Sequence, residues 1–280
     1  MRKQYNDNYS RIPNKLFYFR NKDEDGEYEA EWLTKGSILD ITKDNKTILI
    51  LHELYRGCDF NKECYRTIDG LLTKIGYKLD RDNRKAIKKI LLKLREMGYI
   101  NFGGSETSIK ATTLLIIDVS KLMEETKDNF VELAQCEIDK IMDLEYDLRS
   151  KMGMLKLYLY LKARIYKRKD KTGDVYHDRY SDSKAEAMYQ SYEYIHKYTG
   201  IKDEQAIEYV KILSELEMIT VYRARYKYKE EGSDLWKDFS NIYVINNLQA
   251  NKDDIKEEIK LCVKEYKYTL EKRDCLIKRK

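Results

Sequence analysis

Between residues 81 and 97 the chain reads RDNRKAIKKILLKLREM, and residue types in that order suit the holding of a polyanion. On a helix at about 100° per residue, Ala86, Ile87, Ile90, Leu91, Leu94 and Met97 fall on one side. Arg81, Arg84, Lys85, Lys88, Lys89 and Arg95 fall on the other. The apolar side explains folding. The basic side does not, because almost any polar residue would serve there. Like charges on one face repel, and few acids stand at i±4 to relieve them. Lys74, Lys78 and Lys110 extend the excess: residues 72–112 hold ten Lys and Arg against four Asp and Glu, a net +6. Arg can grip guanine O6 and N7 together, and Asn83 could grip adenine N6 and N7. The plain alternative is a solvated face on a structural helix.

The elements around this stretch favour the polyanion. Residues 47–56 (TILILHELYR) and 65–76 (YRTIDGLLTKIG) are expected as helices, the second stopped by Gly76. The helix over 81–97 is stopped by Gly98, and YINF then reads as a short strand. GGSETS at 103–108 is a turn, and IKATTLLIIDV at 109–119 is rich in β-branched residues and strand-like. Three helices followed by a hairpin is the winged-helix variant of the helix-turn-helix. Its third helix enters the major groove by its N-terminal residues, here Arg81, Asn83, Arg84, Lys85 and Lys88.

The second half repeats the order. Helices are expected over 153–168, 185–200 (ended by Gly200) and 202–216, then an alternating strand over 218–229 and a returning strand FSNIYVIN. Leu94, Met97 and Ile100 recur as Leu213, Leu216 and Ile219. The charges do not recur. Opposite Ala206, Tyr209, Val210, Leu213 and Leu216 stand Glu204, Glu208, Lys211 and Glu215, a face that phosphates would repel. This domain could instead use Arg223, Arg225, Lys227 and Lys229, which alternate with Tyr222, Ala224, Tyr226 and Tyr228 and share one face of a continuous strand. A charged, guarded edge strand is the alternative.

The expected fold is therefore mainly α with small β-hairpins (α+β), as tandem winged-helix domains joined by a helical connector. Residues 1–35 form an N-terminal arm, 36–119 the first winged helix, 120–150 an acidic helical connector, 151–248 the second winged helix, and 249–280 a C-terminal amphipathic helix. Residues 121–150 carry nine acids against four bases, hence a solvated connector. Ile255, Ile259, Val263, Tyr266 and Leu270 recur at three- and four-residue steps; that stripe must bury within the chain, favoured here, or against a second copy.

The stretches YSRIPNKLFYF, LTKGSILDITKDNKTILILHELYR, and LLTKIG followed by RKAIKKILLKLREMGYI resemble the RepA-type replication initiators of Gram-positive plasmids, over roughly residues 9–119. The resemblance implies binding to repeated double-stranded origin sites, recruitment of host replication proteins such as the helicase machinery, and frequent dimers.

Other chemistries find little support. No GxxxxGK[ST] phosphate loop and no paired histidines are present, and Gly103–Gly104 belong to a turn. The five cysteines form no CxxC and, with His52, His177 and His196, no zinc-finger spacing; they read as reduced thiols. His177–Asp178 lie in a polar loop, and His52 in an apolar helix reads as packed. No apolar run approaches the ~18 residues a membrane span needs, and the start MRKQYNDNYS lacks the apolar core of a signal peptide. The expectation is a cytoplasmic, non-enzymatic protein without cofactor or metal, specific for double-stranded DNA and serving as a plasmid or phage replication initiator. A transcriptional regulator of the same architecture is the near alternative, and a protein–protein adaptor the alternative of another class.

Overall fold

The computed structural model describes residues 9–17, 19–22, 28–31, 35–127, 130–165, 187–246 and 252–280. About half of the described residues are helical, with small antiparallel sheets, so the class is mixed α+β. The chain divides into two compact units, Met1–Leu159 and Tyr160–Lys280.

The first unit opens with β1 (Tyr9–Pro13), a 3-10 turn Asn14–Leu16, and the antiparallel pair β2 (Phe19–Lys22) and β3 (Tyr28–Glu31). Then come α1 (Ile38–Thr42), capped by the Ser37 hydroxyl, and α2 (Lys46–Arg56). β4 (Glu63–Arg66) precedes α3 (Ile68–Lys74), which in turn precedes α4 (Arg81–Glu96). Thr67 accepts from the Gly70 N–H and Asp80 from the Asn83 N–H, so both helices start on a side-chain cap. Gly76 and Gly98, at φ 74° and 76°, turn the chain off each helix in the left-handed region. β5 (Leu115–Asp118) pairs antiparallel with β4, and Asn101 bridges Asp118 on its other edge. α5 (Ser120–Glu125), β6 (Phe130–Ala134) and α6 (Gln135–Met142) follow, and α7 (Leu148–Ile165) carries the chain into the second unit.

Several expectations change here. Residues 65–76 are not one helix. They begin inside β4, where Cys64 faces the core, and the Thr67 cap starts the helix at Ile68. YINF supplies only the single bridge at Asn101, and 109–119 only the four residues of β5. Before it, Lys110 and Thr113 close a turn on each other and Ile109 plugs the core. Residues 120–150 are not a solvated helical connector. β6 pairs with β1 from Tyr9↔Ala134 to Pro13↔Phe130, and Val131, Leu133, Ile138 and Ile141 are buried. The arm and the connector thus lock each other onto the first unit, around Ile12, Leu16 and Phe17.

In the second unit β7 (Ala187–Gln190) leads into α8 (Tyr192–Thr199), capped by Ser191 and ended by Gly200 at φ 68°. Of the helix expected over 185–200, residues 187–190 are a strand, the helix starts at Tyr192, and 185–186 lie outside the described residues. α9 (Asp203–Glu215), β8 (Ile219–Tyr222), β9 (Tyr226–Lys229), β10 (Lys237–Asp238), β11 (Asn241–Ile245), α10 (Lys252–Glu271) and β12 (Leu276–Arg279) complete it. β11 lies between β7 and β8, and β9 lies between β10 and β12. The strand expected over 218–229 breaks at Arg223–Arg225, because Ala224 turns into a core with Phe239, Tyr266, Leu270 and Cys275. Residues 249–280 are not helix throughout: α10 stops at Glu271 and β12 returns along β9. The stripe of α10 packs within its own unit, with Ile255, Ile259, Cys262 and Val263 against Ala187, Ile242 and Val244.

Candidate nucleic-acid interface

α4 is held by its apolar side. Ile87, Ile90, Leu91 and Leu94 are buried, and each fully buried aliphatic side chain is worth roughly 1.5–3 kcal/mol. The polar side divides into cations that tie the fold together and cations that do not.

Arg84 is a tie. Its Nε and Nη2 donate to the two carboxylate oxygens of Asp69 on α3, at 2.7 and 3.0 Å. This fork clamps α3 to α4, and it holds the Asp69 carboxyl below its ordinary value while raising Arg84. Lys88 Nζ donates to the Ile109 carbonyl at 3.1 Å. Arg95 donates to the Phe102 and Gly104 carbonyls, its guanidinium 4.6 Å over the Phe102 ring. Lys88 and Arg95 therefore anchor the 103–113 loop beside the helix. Asn83 is also engaged: its side-chain amide donates to the Lys78 carbonyl and to Asp80, inside the helix cap. The donor that would grip an adenine is already in use.

Lys74, Lys78, Arg81, Lys85, Lys89 and Lys110 remain. All six are exposed, and none forms an ion pair among the described residues. They lie at the end of α3, in the turn before α4, along its outer face and on the loop beyond. Sequence pattern found all of them. It could not separate them from Arg84 and Lys88, whose partners stand 15 and 21 residues away.

The chain matches no family profile, no curated protein and no solved structure.

The molecule supplies its own comparison. β4 and β7 are followed by caps Thr67 and Ser191, each accepting from the N–H three residues on, at 2.9 and 3.2 Å. α4 and α9 end alike: Tyr99 N–H donates to the Leu94 carbonyl as Met218 does to Leu213, both at 3.0 Å. Gly98 and Glu217 take the same left-handed place, at φ 76° and 54°. In that register Lys85 stands where the second unit has Glu204, and Lys89 where it has Glu208. Glu204, Glu208 and Glu215 are exposed, and Lys211 lies 3.9 Å from Glu215.

Arg223, Arg225, Lys227 and Lys229 do not share one strand. The first two sit in the bend; Lys227 and Lys229 lie on β9, with Asp238 and Asp234 at 3.7 and 3.8 Å. β12 adds what the sequence reading missed. Lys278 stands opposite Lys227 and stacks 3.9 Å over Trp236, and Lys280 pairs with Asp238 at 2.9 Å. The sequence LIKR at 276–279, two apolar residues before two cations, has no alternation to mark it as a strand.

His52 is packed. Ser10 Oγ meets its Nδ1 at 2.7 Å and Gln135 Oε1 meets its Nε2 at 3.0 Å, so one neutral tautomer satisfies both, and burial lowers its pKa to about 4. Among the described residues no group of three or more His, Cys, Asp or Glu could hold a metal, and no helix is long and apolar enough to cross a membrane. His177–Asp178 lie outside the described residues.

Proposed function

We propose that the chain is a tandem winged-helix protein that binds double-stranded DNA through the first unit, with α4 as the recognition helix. The observation that carries this is the cluster of exposed cations Lys74, Lys78, Arg81, Lys85, Lys89 and Lys110, with no ion pair among the described residues, around a helix that buries Ile87, Ile90, Leu91 and Leu94 on its other face. The winged-helix reading draws support from strand order. In each unit the strand before the second helix pairs with the last strand of the motif, and the segment after the third helix lies on that strand's other edge. Lys88 and Arg95 seat the wing loop, and Lys110 projects from it. Base contact falls to Arg81 and Lys85 rather than to Asn83 or Arg84.

The experiment is binding to a labelled duplex at several salt concentrations. Neutralising phosphates makes log K fall linearly with log salt. Lys85→Ala with Lys89→Ala should cut affinity at least about tenfold and flatten the salt slope by about two. A folded double variant with unchanged binding removes α4 from the interface.

The step to replication initiation rests on the resemblance of residues 9–119 to RepA-type initiators. On that reading the DNA is a set of origin repeats, the partners are host replication proteins, and a homodimer would set half-sites about one helical turn apart. Plasmid maintenance in cells that depends on this gene, and is lost with Lys85→Ala and Lys89→Ala, separates an initiator from a transcriptional regulator.

A further inference from the structure

In the second unit the outer face of the sheet is covered. Ala187 and Tyr189 of β7, with Ile242 and Val244 of β11, carry the apolar stripe of α10, and the Tyr189 ring stacks on Tyr266 at 4.1 Å. The first unit has the same sheet in the same register. Tyr65 pairs with Ile116 as Tyr189 pairs with Ile242, and Glu63 with Asp118 as Ala187 with Val244. Yet that face is bare: Tyr65 is 44% exposed, Ile116 52% and Leu114, just before β5, 62%.

We propose that the outer face of the β4–β5 sheet is the seat of an amphipathic helix from a partner protein, a helix whose apolar stripe is flanked by Lys or Arg. Two observations choose this occupant. The first is the equivalent seat, where the occupant is such a helix, and successive outward side chains of a strand pair form the shallow apolar trough it needs. The second is charge. Where the covered sheet has Ala187 and Val244, the bare one sets Glu63 directly opposite Asp118. Glu63 accepts from the Tyr65 hydroxyl and Asp118 from the Ser120 N–H, and the two acids facing across the strands offer counter-charge to a cation beside the apolar stripe. β5 joins this face to the loop that Lys88 ties to α4 at Ile109, so the occupied seat lies on the same small scaffold as the basic helix.

The probe is a labelled peptide with the sequence Lys252–Glu271 carrying Glu257→Lys and Glu265→Lys, titrated into the full chain and followed by fluorescence anisotropy. Saturable binding should appear and weaken about tenfold or more in Ile116→Glu, as loss of an apolar anchor does. Ile116 is half exposed, so the charge should be tolerated; Leu114→Glu is the second variant, and circular dichroism checks both. The peptide without the two Lys substitutions should bind more weakly. Absence of saturable binding, or binding equal in both variants and the parent, overturns the proposal. So does sedimentation showing a dimer of the full chain that Ile116→Glu dissociates, because the occupant is then a second copy. None of these outcomes depends on DNA binding.

Discussion

α4 and α9 are built to one plan and finished to opposite ends. Both follow a strand and a short capped helix, bury an aliphatic stripe, and close on a left-handed residue with the same hydrogen bonds. Their outer faces carry opposite charge, with Lys85 and Lys89 in one register and Glu204 and Glu208 in the other. The difference separates two kinds of constraint. Caps, stops and buried stripes are set by backbone geometry and packing, so they persist in both copies. The outer face is constrained only by what it meets.

The largest expected effect tests that division directly. Lys85→Glu with Lys89→Glu should weaken duplex binding by about a hundredfold or more, since each lost contact is worth roughly 1–3 kcal/mol. Glu204→Ala with Glu208→Ala should leave it within about twofold. Loss of specific binding in the second variant would reverse the assignment of the recognition helix.

Acid should separate the units next. His52 is neutral in the fold, its pKa held at about 4 by burial against an ordinary 6.5. Below 6.5 the unfolded state takes up the proton and the native state does not. The stability this group contributes is therefore complete above about pH 6.5 and lost as pH falls towards 4, roughly 3 kcal/mol in all. In the second unit His196 is exposed, with Nδ1 3.0 Å from the Ile201 carbonyl. Hydrogen exchange corrected for intrinsic rates should show β1, α2 and α6 losing protection over that range before α9 does. Equal loss in both units would mean that His52 is not the acid-sensitive group.

A smaller effect should carry opposite signs in the two copies. No heavy atom lies within 4 Å of where a Cβ on Gly98 would sit, so Gly98→Ala tests the backbone alone and should cost about 1 kcal/mol. Glu217→Gly should stabilise by a few tenths to about 1 kcal/mol at the matching place. Urea unfolding of the full chain reads both.

The weakest effect belongs to β9. Lys227→Ala with Lys229→Ala should lower duplex affinity only about two- to threefold, because Asp238 and Asp234 already screen these lysines. A loss matching that at α4 would make β9 an equal DNA contact.

What the sequence disclosed follows the same division. The stripes of α4 and α9 were legible because the 3.6-residue period runs over two or more turns, and the stops at Gly76, Gly98 and Gly200 because each needs a positive φ. β4 and β7 were not legible. ECYR and AMYQ are four residues each, too short for an alternation to outweigh the helix that follows. The 121–150 segment misled through its charge, since Glu137 is buried, accepting from Tyr158 and from the Ala134 N–H. The site suffered from the same nearsightedness. A helical wheel shows which way Arg84 points but not that Asp69 waits there. Asn83, three residues after an Asp, did carry the mark of a cap, and that mark outranks the adenine reading.

The pairing of β1 with β6 bears on how the chain is made. Tyr9 meets Ala134 across a separation of 125 residues. A ribosome adds about 5–20 residues per second, so β1 emerges roughly 6–25 seconds before its partner strand is synthesised. For that interval Ile12, Leu16 and Phe17 have no β6 to close over them, while α2, α3 and α4 can already pack on one another through near neighbours. Until β6 is made, the nascent chain thus carries β1 with an open edge beside three apolar side chains, an arrangement prone to pairing with other chains.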